Sequence, residues 1–406
     1  MKVKAHYNTL KVPHHMRGNP FIEALPTWRE ESEIGPLIAN IPAGDFSDLE
    51  SKPQSERRSM LKMLDRIYLP NEAAAGVAGA MDELIRNAYI ARNPMDVEAV
   101  ADMYDDKSLI HQQGAHDSPI AGMMLLEGSS GMGKTRLVRV LLARYPKSIE
   151  HHEYKGKALN TTQILWVSVE APVGGSLKSL LHAMLVEIDE AAMLTNTPQS
   201  YAAEHKNSSI PKLIGAVGRA AKTHNLGIMH IDDLQRITEL RTKSTSMVHF
   251  IVQLANVVKC PVLFSGTPES GVGFEESFEA TRRINSDGSF VIPRTQRFAM
   301  KFAEVLFRYQ WTPTPIAPDP KLLSYLVYLS ASVTHVMILL HKEAHRVAIR
   351  AGHESLTASH YTAAYRTRAR HLYKGLRVLR SKKPNADKAY EDIMMELRKD
   401  GFVKDY

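Results

Sequence analysis

The sequence predicts an α/β fold. A doubly wound, parallel, five-stranded sheet is followed by a small all-helical lid, with an irregular and helical region ahead of both. Three observations carry that expectation. Between residues 118 and 303, short apolar runs alternate with longer segments of helical period, as in a parallel sheet covered on both faces. The first of these runs, Met123–Glu127, leads into the glycine-rich stretch Gly128-Ser129-Ser130-Gly131-Met132-Gly133-Lys134-Thr135. After Pro320 the apolar spacing is helical throughout, with segments at 321–330, 334–350 and 358–379.

In chain order, residues 1–70 form an N-terminal arm punctuated by Pro13, Pro20, Pro26, Pro36, Pro42 and Pro53, with one helical face at Met60, Leu61, Leu64 and Ile67. Residues 71–117 are a helical segment leading into the core, opened at Asn71-Glu72 and interrupted at Asn93-Pro94, with a second helix at Val97–Tyr104. The core, 118–303, takes its strands from Met123–Glu127, Gln163–Val169, Gly227–Ile231 and Val262–Phe264, with Arg297–Phe302 supplying the last. Its helices are expected at Lys134–Tyr145, Leu177–Ala192, Pro211–His224 and Ser244–Val258. The polar connector Pro146–Thr162, carrying His151 and His152, reads as a surface loop. The lid is 304–365, and 366–406 is a basic helix and tail. The part of the tail from Lys388 to Tyr406 suits either a docking helix or a helix packed on its own lid.

Composition narrows the classes. A single cysteine, Cys260, excludes an intramolecular disulfide and the four-thiolate zinc sites; it precedes an apolar run and is expected to be buried. The N-terminus lacks the apolar region of a signal peptide, and no run approaches the ~20 apolar residues of a membrane span, so a soluble cytoplasmic protein with no membrane partner is expected. The net charge of +7 is concentrated: from Arg366 to Lys383 there are eight Lys or Arg and no acid, while the remainder of the chain is close to neutral. Such a block suits a polyanion or, equally, a solvated helix face.

The glycine-rich stretch matches the pattern G-x-x-x-x-G-K-[ST] between a strand and a helix. Glycines let backbone N–H groups turn inward as an anion nest, and the helix N-terminus adds partial positive charge. Gly128, Ser129, Ser130, Gly131, Met132, Gly133, Lys134, Thr135 and Arg136 are therefore the candidate ATP contacts, with Lys134 on the β- and γ-phosphates and Thr135 on Mg2+. The apolar run Ile228–Ile231 ends in Asp232-Asp233, a pattern in which Asp232 serves Mg2+ and Asp233 orients the attacking water. Asp233 is one methylene shorter than the more usual Glu, which points to slow, switch-like hydrolysis. Ser265 or Thr267, at the tip of the Val262–Phe264 strand, is the polar residue that would touch the γ-phosphate or the water. An arginine donated by a neighbouring subunit is sought among Arg282, Arg283, Arg294 and Arg297, with Arg297 preferred and Arg294 second.

Four pieces of the chain resemble the TnsC/TniB family of AAA+ ATPases, the target-selection regulators of TnsABC-type transposons. They are Gly18-Asn19-Pro20-Phe21-Ile22-Glu23-Ala24-Leu25-Pro26, the P-loop with its short apolar strand, the segment Val169–Leu180 containing Gly174-Gly175-Ser176-Leu177-Lys178, and Ile231-Asp232-Asp233-Leu234-Gln235. The resemblance spans roughly residues 18–370. It implies an ATPase that assembles with ATP and Mg2+ into a ring or helical homo-oligomer, heptamer-like, on double-stranded DNA. Its implied partners are TnsA/TnsB-like transposase subunits and a TnsD/TniQ-like target selector, with or without an RNA-guided CRISPR complex. By position it assigns DNA contacts to Lys178 and to Thr195 or Thr197. One departure stands out: many AAA+ lids carry a nucleotide-contacting arginine near His335, and His lacks a permanent charge and a bidentate fork. Two rivals share the motifs: a helicase loader of the IstB or DnaC kind, and a signalling NTPase that touches no nucleic acid.

Overall fold

The structure, a computed structural model, describes residues 2–44, 46–97, 99–100, 122–172, 176–238, 250, 253–268, 281–282, 284, 288–381, 383 and 386–399. These resolve into two compact units. The first comprises residues 1–31, 75–127 and 135–290, the second 32–74, 128–134 and 291–406.

The first unit is built on a five-stranded sheet of order β5-β6-β7-β2-β8, from β2 (Met123–Glu127), β5 (Trp166–Glu170), β6 (Ile228–Asp232), β7 (Val262–Gly266) and β8 (Ser289–Val291). The pairs β5–β6, β6–β7 and β7–β2 are all parallel. β6 and β7 are buried at every residue, which is why they read as unbroken apolar runs. The helix Leu177–Ala192 starts on Ser176, whose hydroxyl accepts from the Ser179 amide. Leu180, Leu181, Met184, Leu185 and Ile188 form its buried stripe, packed in one core with Val217, Met229 and Phe264.

Three expectations need correction. The connector at 146–162 is not a loop. It folds as the antiparallel strands β3 (Ser148–Tyr154) and β4 (Lys157–Ile164), and β1 (Lys2–Lys4) adds to β3 in parallel. The hairpin turns at Lys155 and Gly156, with φ of +49° and +78°, the two left-handed residues a tight turn needs. His151 is accordingly buried. Gln163 Nε2 donates to the Phe21 carbonyl, so its Oε1 accepts from His151 Nε2 at 3.0 Å, and His151 Nδ1 accepts from the Tyr7 hydroxyl at 2.9 Å. Burial holds this ring below the usual histidine pKa, as a neutral core residue.

Secondly, Arg297–Phe302 is not a strand but the front of a helix, Gln296–Leu306, in the second unit. Thr295 caps it by accepting from the Phe298 amide at 3.2 Å, and Phe298, Ala299, Phe302, Ala303 and Leu306 bury one helical face. The edge strand is β8 instead. Thirdly, the helix expected over 358–379 is two: Ala358–Arg368 and Tyr373–Arg380, separated by the 3-10 turn Arg370–Leu372. Near the break the Thr367 hydroxyl donates to the carbonyls of Ala363 and Ala364, a local bond that competes with the helix. The helix expected at Ser244–Val258 falls largely outside the described residues; 253–258 is helical.

The second unit gathers the helices Pro320–Ser330, Thr334–Ala351 and Ala358–Arg368 around Trp311, Leu326, Leu340 and Tyr361. From the arm, Leu49, Leu61, Leu64 and Ile67 join the same core. The helix Gln54–Met60 continues there into the 3-10 turn Leu61–Arg66. Among the described residues no single helix is long and apolar enough to cross a membrane.

Candidate nucleotide-binding site

β2 delivers the chain to Gly128, and the helix Lys134–Leu142 carries it away. Gly131 and Gly133 hold φ of +80° and +91°, backbone that favours glycine and turns successive N–H groups to one side. A Cβ at Gly131 would lie 3.0 Å from Val333 Cγ1, and one at Gly128 would lie 3.1 Å from Ile292 Cβ. Lys134 is buried, its ammonium donating to the Gly128 carbonyl at 2.5 Å and to that of Ser129 at 3.4 Å. Ser129 and Met132 are buried, and Arg136 is half-buried. Within the same unit, the helix Thr334–Ala351 begins against this loop: the Thr334 hydroxyl and the His335 amide both donate to the Gly131 carbonyl, at 2.9 and 3.1 Å. His335 meets the loop with its backbone.

In the first unit, Asp232 closes β6 and is nearly buried. It accepts from the hydroxyls of Ser265 and Thr135 and from the Asp233 amide. Burial works to raise this carboxyl, but the His230 ring, the two hydroxyls and the amide outweigh it and keep Asp232 below the usual aspartate range. The chain of bonds runs deeper. Ser265 gives its single proton to Asp232, so it accepts from His230 Nε2 at 2.8 Å, and His230 Nδ1 then accepts from Ser168 at 2.8 Å. Burial pushes His230 down to about 4, so the ring is neutral at pH 7. Thr135 and Asp232 together offer hard oxygen donors, the kind Mg2+ prefers. Among the described residues no cluster of three His, Cys, Asp or Glu could hold a metal.

Asp233 has φ of +54° and is held on both oxygens. Gln235 Nε2 donates to Oδ1 at 3.0 Å, and Arg236 pairs with Oδ2 at 3.0 Å while also reaching Glu170 at 2.6 Å. Ser265 and Thr267 take different places: Ser265 binds Asp232, whereas the Thr267 amide donates to Gln235 Oε1 at 3.3 Å. Arg294 is engaged inside the second unit, with Asp387 at 3.1 Å and the Ala331 carbonyl at 3.1 Å. Arg297 and Arg282 are exposed, and Arg283 lies outside the described residues.

Lys178 is exposed and lines a cleft of about 830 Å³ in the first unit together with Arg139, Lys206, Glu170 and Asp232. Thr195 is exposed. The Thr197 hydroxyl donates to the Leu194 carbonyl at 2.7 Å and accepts from the Gln199 amide, which makes it a turn residue. Sequence reasoning missed Ser168, His230 and Arg236, as well as Asp387 and Glu391 of the last helix, which touch Ser129 and Ser130. For His230 a signal existed: on a strand it shares a face with Asp232, two residues on.

Residues 120–270, the segment holding the loop and both aspartates, match a family model described as AAA domain. This segment is an AAA domain. The chain is accordingly a P-loop ATPase. No curated protein matches the sequence. Solved structures similar to the chain include the Aeropyrum pernix ORC1 protein in complex with DNA, at 13% identity over 83% of this chain and 85% of that one, TM-score 0.45. The Aeropyrum pernix ORC2 protein in its ADPNP-ADP complexes gives 14% over 84% and 90%, TM-score 0.45. Cdc6p from Pyrobaculum aerophilum gives 11% over 83% and 84%, TM-score 0.46.

Proposed function

We propose that this ATPase is a regulator of DNA transposition of the TnsC/TniB kind. ATP-loaded copies assemble on target duplex DNA and link a target selector to the transposase, and hydrolysis dismantles the assembly. In this reading Gly128–Lys134 holds the phosphates, Thr135 and Asp232 supply oxygen donors to Mg2+, and Asp233 orients the attacking water. Lys178 faces the DNA backbone, and an arginine such as Arg297 completes a neighbour's site.

The observation that carries the transposition reading is the state of the N-terminal signature. Asn19 caps the short helix Pro20–Glu23 and donates to the Tyr89 carbonyl at 2.6 Å. Glu23, fully buried, accepts from the Gly18 amide, the Thr9 hydroxyl and the Tyr154 hydroxyl. Phe21 is buried against Tyr89 and His151. The motif that sets the TnsC/TniB resemblance apart from helicase loaders is thus a built part of the first unit, not a loose arm.

DNA binding is supported by the basic segment: Arg366, Arg368, Arg370, Lys374, Arg377 and Lys383 are exposed, while Arg380 lies over the Tyr328 and Tyr365 rings. Electron microscopy with duplex DNA is the test. Rings or filaments are expected with a non-hydrolysable ATP analogue and none with ADP; a monomer in both states would overturn the proposal. DNA affinity should fall steeply with salt. Replacing Arg366, Arg370, Lys374 and Arg377 with Gln should reduce the salt slope by about one for each phosphate that is no longer neutralised. An unchanged slope removes this segment from the interface.

Slow hydrolysis is supported by the double hold on Asp233. A carboxylate that orients water must first leave Arg236, and a partly exposed pair of this kind is worth up to about 1 kcal/mol. Arg236→Ala should therefore raise kcat about three-fold with nucleotide affinity unchanged. A fall in kcat would mean that Arg236 holds Asp233 in its working position.

A further inference from the structure

The last described helix, Ala386–Lys399, meets the phosphate-binding loop through two acids. Ser129 Oγ donates to Asp387 Oδ1 at 2.7 Å, and the Ser130 amide donates to Glu391 Oε1 at 2.5 Å. Arg294 Nε also donates to Asp387, at 3.1 Å. Asp387 and Glu391 are four residues apart and so share one stripe of the helix, while Ala386, Tyr390 and Met394 are buried on another. The helix is held close: a Cβ at Gly375 would lie 2.8 Å from the Tyr390 ring. Glu391 is 1% exposed, so its carboxylate is withdrawn from water and held at the loop.

The Ser130 amide belongs to the nest whose donors face anions, and a carboxylate is the side chain that most resembles a pair of phosphoryl oxygens. One N–H cannot serve a carboxylate and a phosphate together, and two carboxylates beside a triphosphate would repel it strongly. We infer that the helix Ala386–Lys399 is an intramolecular competitor of the nucleotide, with Glu391 on a phosphate-binding amide and Asp387 on the adjacent serine. This rests on the reading that Gly128–Thr135 binds ATP, and it adds the regulation of that site. The coupling is reciprocal: ATP loading frees the helix, and whatever draws the helix away tightens ATP binding by the same factor.

The test uses the full chain and a fluorescent non-hydrolysable ATP analogue. Asp387→Asn with Glu391→Gln keeps the shapes and removes the charges, and it should tighten binding about ten-fold, the worth of one charge-assisted hydrogen bond. Tyr390→Ala, which loosens the helix without touching either acid, should act in the same direction and serves if the double variant fails to fold. In the wild-type chain, hydrogen exchange across 386–399 should rise when the analogue is added. Wild-type affinity in both variants, or slower exchange of the helix with nucleotide, would overturn the latch while leaving the site reading intact. If neither wild type nor variants bind the analogue, the site reading itself falls.

Discussion

Lys134→Ala is expected to reduce ATP hydrolysis about 100-fold or more and to abolish nucleotide-dependent assembly on DNA. The ammonium is buried and tied to the carbonyls of Gly128 and Ser129, the backbone that shapes the loop. In phosphoryl transfer such a group meets charge that grows toward the transition state, and removing one preorganised donor of this kind costs about 3 kcal/mol, or two to three powers of ten in rate. The substitution also removes a positive charge from the ground-state site, so nucleotide uptake should weaken as well. Single-turnover hydrolysis and analogue binding measure the two effects separately. Circular dichroism checks that the substitution leaves the fold in place, since the loop's two left-handed glycines already set its course. A variant that still coated DNA in a nucleotide-responsive way would break the link between this lysine and assembly.

How far the sequence disclosed all this depended on the range of the interactions involved. Met123–Glu127, Leu177–Ala192 and Val262–Gly266 were readable because buried parallel strands are continuous apolar runs and their covering helices carry one apolar stripe. The loop and the twin aspartates were readable because each is local. Arg297–Phe302 misled because Phe298, Met300 and Phe302 also alternate with period two; the Thr295 cap and the continuation through Ala303 and Leu306 decide for a helix. The hairpin of β3 and β4 escaped because its polar residues hid an inward face, with Lys155-Gly156 its one local sign. Ser168 and His230 become neighbours only through the register of β5 on β6, and Asp387 and Glu391 reach Ser129 and Ser130 across about 260 residues of chain. No spacing rule carries such pairings.

The second large effect expected is acid instability of the helical unit, starting well above the range where ordinary carboxylates titrate. His341 and His345 lie one turn apart with ring centroids at 4.5 Å, both fully buried. His341 Nε2 donates to the Tyr309 carbonyl at 3.0 Å, which leaves Nδ1 to accept from the Tyr361 hydroxyl at 2.6 Å. His345 Nδ1 donates to the His341 carbonyl at 2.8 Å, and its Nε2 has no hydrogen-bond partner among the described residues. Burial pushes His341 to about 4, and burial together with the neighbouring ring pushes His345 well below the usual value. The unfolded chain therefore binds protons between pH 6.5 and 4 that the folded unit refuses. Stability from these neutral rings is complete above about pH 6.5 and drains away as pH falls toward 4. A depression of this size at His341 is worth about 3 kcal/mol by pH 4, and His345 adds to it. Urea unfolding at pH 7.5, 6.5 and 5.5 reads the effect free of ordinary carboxylates, which stay ionised across that window, and comparison with a His341 variant separates it from other depressed histidines such as His151 and His230. The midpoint should drop at each step, and His341→Gln, which cannot titrate, should flatten the slope even if it starts from lower stability. A midpoint that held steady from pH 7.5 to 5.5 would show that the buried pair accepts protons without cost, contrary to its burial.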